Sequence, residues 1–279
     1  MSEVIVTHIN PDLDAVASIW LIRRFFLGWE EAKTVFVPVG QTFRGAPPDD
    51  DPEVIHVDTG LGKFDHHQTA DFTCSAERVF KEISKERKLT SENLLVLKRM
   101  IVVIKEEDNG RAINWGKGND DLYEFMLPGF LPYLGGGSED RDEKKVEFAS
   151  SVLEMIFSAI KRKIQAEEKL KEGQPFKTSW GKAIAVISGN DQVLEVGQKK
   201  GYVLVARQNP ADGQLRIYSR WDKGVDLSGA FEQFKKLDPA ASWYLHPNKC
   251  LLLNGSRSDP TMVPTKLSLK EVIKILQKA

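Results

Sequence analysis

The segment "EVIVTHINPDLDAVASIWLIRRFF", residues 3–26, limits the fold more than any other part of the chain. An apolar, β-branched run ends abruptly in His8, Asn10, Asp12 and Asp14, and a long apolar helix pattern begins at once. Such a run, apolar at successive positions, suits a strand buried on both faces, as in a parallel sheet. "TVFVPV" (34–39) reads as a second strand and "EVIHVDTG" (53–60) as a third, with Asp58 at its carboxyl edge. Strand, helix, strand and strand predict an open, mostly parallel α/β sheet. Ligands of such sheets bind outside the carboxyl ends of the strands, where His8–Asp14 and Asp58 fall.

The 13–28 helix is expected to stop at Gly28, and helices are predicted over 75–88 and 91–110 with Ser75 and Ser91 as N-caps. Loops cover 110–120 and 128–144, and a long amphipathic helix covers about 142–171. "EGQPF" (172–176) breaks that helix and sets two domains, 1–172 and 179–279. Past it, "AIAVISG", "YVLVARQ", "QLRIYSR" and "KCLLLNG" read as strands, the middle two joined through "NPADG" as an antiparallel hairpin. Helices over 226–237, capped by Asp226 or Ser228, and over 268–278, capped by Ser268, complete a smaller C-terminal α/β domain.

The 39 basic and 40 acidic residues nearly cancel, so no basic excess marks a binder of long nucleic acid. The two cysteines, Cys74 and Cys250, read as free thiols in a reducing compartment. No apolar run reaches the roughly 18 residues of a membrane span, and the first residues lack the pattern of a secretory signal. The expectation is a cytoplasmic protein without a membrane partner.

Four of the five histidines lie between residues 8 and 67, three of them beside carboxylates in "THINPDLDA" and "FDHHQT". "HVDTG" and "EEDNG" add Asp58 and Asp108. Carboxylates brought close together raise one another's pKa unless a cation neutralises them. A mixed His/Asp set suits Mn²⁺, Fe²⁺, Co²⁺ or Zn²⁺ better than Ca²⁺. A carboxylate at a strand tip, as Asp58 would be, is placed to bridge two ions.

"THINPDLDA", "VDTG", "DHH" and "EEDNG" resemble motifs I to IV of the DHH phosphoesterase superfamily, over about residues 4–110. "FDHHQ" and "DNG" are closest to its melanocyte-proliferating-gene exonuclease branch, whereas residues 6–14 keep the plain His-x-Asn-Pro-Asp-x-Asp form. The resemblance implies an N-terminal DHH domain with a mostly parallel sheet, a smaller DHH-associated-like domain, and an active site in the cleft between them. It implies two divalent ions, Mn²⁺ first, with Co²⁺, Mg²⁺ or Fe²⁺ as alternatives. His8 and Asp12 would hold one, Asp14, His66 and Asp108 the other, and Asp58 both. Asp65 would orient a histidine, His67 would face the substrate phosphate, and Asn10 would bond substrate or water.

The ions would lower the pKa of a bridging water, and the resulting hydroxide would attack phosphorus in line. "LRIYSRWDKGVDLSGAFEQF" resembles the substrate-gripping stretch of DHH-associated domains, which makes Ser219 and Arg220 substrate contacts. The usual Gly-Gly-Gly-His is absent, and "SWYLHPNKCLLLNGSR" stands in its place, offering His246 and the Asn254-Gly255-Ser256-Arg257 turn. The expected activity is hydrolysis of a phosphodiester in a small nucleotide or short oligonucleotide, with a homodimer as the candidate assembly. Two alternatives stand beside it: a pyrophosphatase or polyphosphatase, and a non-catalytic nucleotide-binding sensor.

Overall fold

The computed structural model describes residues 3–85, 89–116, 120–135, 137–138, 140–255, 259 and 261–279. The chain divides into two compact units, Met1–Lys161 and Arg162–Ala279. In the first, β1 (Val4–His8) leads directly into α1 (Leu13–Phe25), followed by β2 (Lys33–Val37) and β3 (Val54–His56). The strands form a parallel sheet in the order β2-β1-β3, with Val4 level with Lys33 and Val54. Central β1 is covered on both faces, since Ile5, Val6 and Thr7 have no exposed surface. Every residue of α1 from Leu13 to Ile22 is buried, as expected of a helix apolar on all sides.

Four helices complete this unit: α2 (Ser75–Lys85), α3 (Ser91–Asp108), the short α4 (Leu127–Phe130) and α5 (Arg141–Lys171), inside which the boundary falls. Leu97, Met100, Ile101 and Ile104 of α3 and Val146, Ala149, Leu153 and Phe157 of α5 are buried at helical spacing. Two predicted helix ends are corrected. The Phe26 amide closes α1 on the Ile22 carbonyl, so Gly28 (φ 88°) lies in the turn beyond. The Thr90 hydroxyl, not Ser91, caps α3 by accepting the Asn93 amide at 3.1 Å.

The second unit adds β4 (Gln174–Thr178), β5 (Gly181–Ile187), α6 (Gln192–Lys199), β6 (Leu204–Gln208), β7 (Leu215–Ser219), α7 (Ser228–Leu237), β8 (Trp243–Leu245), β9 (Leu251–Asn254) and α8 (Leu269–Lys278). They build a six-stranded sheet in the order β4-β5-β6-β7-β9-β8, in which β5 and β6 are parallel and the other neighbours antiparallel. The predicted hairpin is β6–β7, closed by the Gly213 amide on the Asn209 carbonyl at 2.9 Å.

Sequence reading missed β4, α6 and β8. "QPF" forms the edge strand β4, where Pro175 needs no second partner. Ser268 and Glu271 form a capping box at α8. α7 follows Leu227 with no side-chain cap, and Asp226 instead accepts the Ser228 amide at 2.8 Å. The helices bury Phe234, Val272 and Leu276 against Leu204, Leu215, Ile217 and Leu252 of the sheet. Among the described residues no helix is long and apolar enough to cross a membrane.

Candidate metal centre

The end of β1 sets the first site residues. Its register with β2 continues through the Ile9 amide to the Val37 carbonyl, and the backbone then turns through Asn10 at φ 57°. Asp12 follows and caps α1, accepting the Ala15 amide at 3.0 Å. Two residues on, Asp14 is fully buried and accepts the amides of Ser75 and Ala76 at 2.7 and 2.9 Å. A buried aspartate of α1 therefore anchors the start of α2. Beyond β3, Asp58 takes φ 54° and is 2% exposed. Asn and Asp enter this left-handed region more readily than other non-glycine residues, so both tight turns suit their residues.

The side chains of four distant segments meet around Asp58. Its Oδ2 lies 3.2 Å from His8 Nε2 and its Oδ1 lies 3.3 Å from His66 Nε2. His66 Nε2 also faces Asp108 Oδ2 at 3.6 Å and Asp14 Oδ2 at 3.9 Å. Two triads result, His8/Asp12/Asp58 and Asp14/His66/Asp108, and a third group joins Asp58, His66 and His67. Within each group the potential donor atoms lie within 4.8 Å of one another. Buried Asp65 accepts the Leu61 amide at 2.7 Å through one oxygen and His67 Nδ1 at 2.7 Å through the other, fixing the half-exposed His67 ring.

The electrostatics are those of crowded carboxyls, of which Asp14 and Asp58 are buried. Burial, then the charges of Asp58 and Asp108, push the Asp14 carboxyl well above the usual range. Burial and Asp58 also raise Asp12. Burial raises Asp108 to about 6, although His66 opposes it. Glu107, which sequence reasoning overlooked, is raised to about 7 by burial and by Asp12 and Asp108. Asp58 alone is held low: its burial acts the other way but is outweighed by His66 and His8. The Asp58 carboxylate raises His66 to about 9. Burial of His8 opposes protonation, yet Asp58, the Ile9 carbonyl and Asp12 together carry it to about 9.

The donor chemistry fits a divalent cation. His8 Nδ1 donates to the Ile9 carbonyl at 2.9 Å, which in a neutral ring turns the Nε2 lone pair on the Asp58 carboxylate. Lone pair against carboxylate needs a proton or a cation between them. Buried His66 Nε2 makes no hydrogen bond of acceptable geometry among the described residues, although three carboxylates surround it.

Other sequence-picked residues lie in the second unit. Two have buried side chains bonded within the unit. Asn254 is fully buried, its amide donating to the Ser242 and Val263 carbonyls and accepting the Thr265 amide. Ser219 is buried and donates to the Cys250 carbonyl at 3.0 Å. Arg220 pairs through two bonds with neighbouring Asp222, at 2.9 and 2.6 Å. His246 Nδ1 accepts the Asn248 amide, and Gly255 turns at φ 78°. Ser256 and Arg257 lie outside the described residues.

The structure adds residues that no motif announced. Ser75 donates to Asp58 Oδ1 at 3.2 Å, and α5 sends Asp142 and Lys145 to Asn10 at 2.9 and 2.5 Å. His56, the remaining histidine of this unit, is structural, bonded to the Pro48 carbonyl and the Phe43 amide. Cys74 and Cys250 are free thiols.

No protein-family model matches the sequence, and no curated protein matches it. Among solved structures, the chain is similar to the following at 9–12% identity. RecJ with Mg²⁺ from Thermus thermophilus is 12% identical over 99% of this chain, with a TM-score of 0.35. This chain spans 49% of that RecJ, about half its length. Exonuclease RecJ bound to manganese is 10% identical, with 99% of this chain and 90% of that one covered and a TM-score of 0.34. The DHH domain of a member of a ribosomal-protein family is 9% identical, with 99% and 86% covered and a TM-score of 0.33. All three scores lie below 0.5, so the functional reading rests on the side chains around Asp58.

Proposed function

We propose that this chain is a metal-dependent phosphoesterase that hydrolyses a phosphodiester of a small nucleotide or short oligonucleotide. The observation that carries the proposal is the pair of triads, His8/Asp12/Asp58 and Asp14/His66/Asp108, which meet where Asp58 faces both His8 and His66. His8 and Asp12 would hold one divalent ion and Asp14, His66 and Asp108 the other, with Asp58 beside both sets. Mn²⁺ is the first choice for this mixed imidazole and carboxylate set. When bound, such a pair activates a water at neutral pH and neutralises charge on the phosphoryl group.

The remaining roles belong to the chain itself. His67, aimed by Asp65, donates to a phosphoryl oxygen, and Asn10 bonds the substrate. In this reading residues 1–172 are the catalytic part and 179–279 the part that grips the substrate, with Ser219, Arg220, His246 and the Asn254-Gly255-Ser256-Arg257 segment as its candidate contacts.

The test is Mn²⁺-stimulated release of p-nitrophenol from bis-p-nitrophenyl phosphate, followed by a panel of pApA, cyclic dinucleotides, 3′-phosphoadenosine 5′-phosphate, short single strands and pyrophosphate. Turnover of a dinucleotide or short strand is the expected result. Turnover of pyrophosphate alone would replace the diester reading with a phosphoanhydride hydrolase, and silence on every member would leave a sensor.

A further inference from the structure

Lys145, on the second turn of α5, is 1% exposed, and its ammonium group meets Asn10 Oδ1 at 2.5 Å. Asn10 is exposed at the surface between His8 and Asp12. Asp142, one turn before Lys145, accepts the Asn10 backbone amide at 2.9 Å. The first turns of α5 thus hold both the backbone and the side chain of the residue at the tip of the β1–α1 turn. That tip adopts a left-handed conformation, at φ 57°, which costs free energy unless its surroundings hold it.

The chemistry of the pair fixes a direction. A carboxamide can turn over and exchange its oxygen for its nitrogen, and the two look alike in outline. An ammonium group has donors and no acceptor, so it tolerates only the oxygen. A lysine kept from solvent therefore disfavours the turned-over form, because that form would set N–H against N–H and leave the buried ammonium without this acceptor. With Oδ1 held by Lys145, Nδ2 carries two donors that make no hydrogen bond among the described residues. Burial is also the leading cause that lowers the Lys145 pKa, as Asp142 and Asp12 partly compensate.

We propose that Lys145 is a positioning residue that locks the Asn10 amide with its Nδ2 donors turned to the phosphoryl oxygens of the bound substrate. The inference rests on the phosphoesterase reading and goes beyond it, since no sequence motif includes residue 145. Lys145 itself touches no substrate. It acts through Asn10, and its loss allows the amide to rotate and to present an acceptor to an anion.

The experiment is a double-mutant cycle on the full chain, with Asn10→Ala, Lys145→Met and the double variant, read on bis-p-nitrophenyl phosphate with Mn²⁺. Lys145→Met keeps the buried stem and removes the charge. Each single variant should lower kcat/KM by roughly tenfold, as expected for one lost charge-stabilising donor or its support. The double variant should be no slower than Asn10→Ala, because the lysine has nothing left to hold. Mn²⁺ affinity, measured by calorimetry, should change far less than kcat/KM in all three, a result that general damage to the site would not give. Losses that multiply in the double variant would overturn the inference while leaving the phosphoesterase reading intact.

Should the wild-type protein turn over nothing, the phosphoesterase reading fails on its own, and inorganic phosphate then serves as the probe. A crystal grown with Mn²⁺ and phosphate should show Asn10 Nδ2 on a phosphate oxygen in the wild type and turned away in Lys145→Met. Nδ2 off the phosphate in the wild type, or unmoved in the variant, would refute the role given to Lys145.

Discussion

His8 Nε2 and Asp58 Oδ2 stand 3.2 Å apart although 50 residues separate them in the chain. The parallel register of β1 and β3 brings them together, since both strands end at the same edge of one sheet. Asp58 occupies the meeting point of the two triads, so its removal is the most direct test of the centre. Asp58→Asn keeps the shape and removes the charge. It should lower Mn²⁺-dependent hydrolysis by at least about 100-fold, more than the loss of a residue that only supports a ligand. Steady-state kinetics and Mn²⁺ calorimetry would check this, and near wild-type values in both would remove Asp58 from the centre.

The metal-free protein should lose stability as pH rises. His8 and His66 are raised from 6.5 to about 9 in the folded state, so the folded chain binds their protons more tightly. Their contribution is complete below about pH 6.5 and is lost as pH climbs toward 9. Glu107, raised to about 7, acts in the same direction at lower pH, between its ordinary 4.5 and about 7. Differential scanning fluorimetry in EDTA should therefore show Tm falling by several degrees from pH 6.5 to about 9. Saturating Mn²⁺ should flatten the profile, because metal ligation requires the neutral imidazoles. A Tm that rises over this range without metal would contradict the assignment.

Asp14 has a second, purely structural task. Its carboxylate accepts two buried amides at the start of α2, so Asp14→Ala leaves both without partners. The expected loss is about 2–6 kcal/mol in urea unfolding, from roughly 1–3 kcal/mol for each of the two buried unsatisfied groups. A change below about 1 kcal/mol would mean that the segment relaxes to reach other partners.

Asp65→Asn should uncouple activity from folding. The variant keeps one acceptor for the Leu61 amide but weakens the bond that aims His67. kcat is expected to drop by about 10–100-fold, with Mn²⁺ affinity and Tm little changed. Equal falls in kcat and in metal affinity would assign Asp65 to the metal shell instead.

In the second unit, Ser268→Ala removes the capping box of α8 and should cost about 1 kcal/mol without altering hydrolysis. Chemical denaturation alongside the diester assay would check it, and it serves as the control for variants that act on the centre.

Much of the centre was legible in the residues themselves. An apolar run that stops at His8 and a helix that starts after Asp12 define a strand end, and strand ends of parallel sheets gather ligands. The side-chain types of Asp58, His66 and Asp108 were equally informative, because carboxylates gathered with imidazoles need a proton or a cation among them. Short or edge elements were not legible. β4 looked like a breaker because Pro175 is read as one, and only its place at the sheet edge allows it. The burial of Asn254 and Ser219 was not legible either, because it depends on the strands and loops packed around them.

The sequence by itself determined which groups could hold a cation and that they belong at strand and helix ends, since residue chemistry and local periodicity are properties of the chain alone. Only the tertiary structure decided that Asp14 also secures α2, that Asp65 aims His67, and that Lys145 reaches Asn10 from 135 positions away. The Asp14 and Lys145 contacts depend on how helices pack on the sheet, a matter of distance in space that no spacing along the chain encodes, whereas the Asp65–His67 contact is local and needed the loop's conformation.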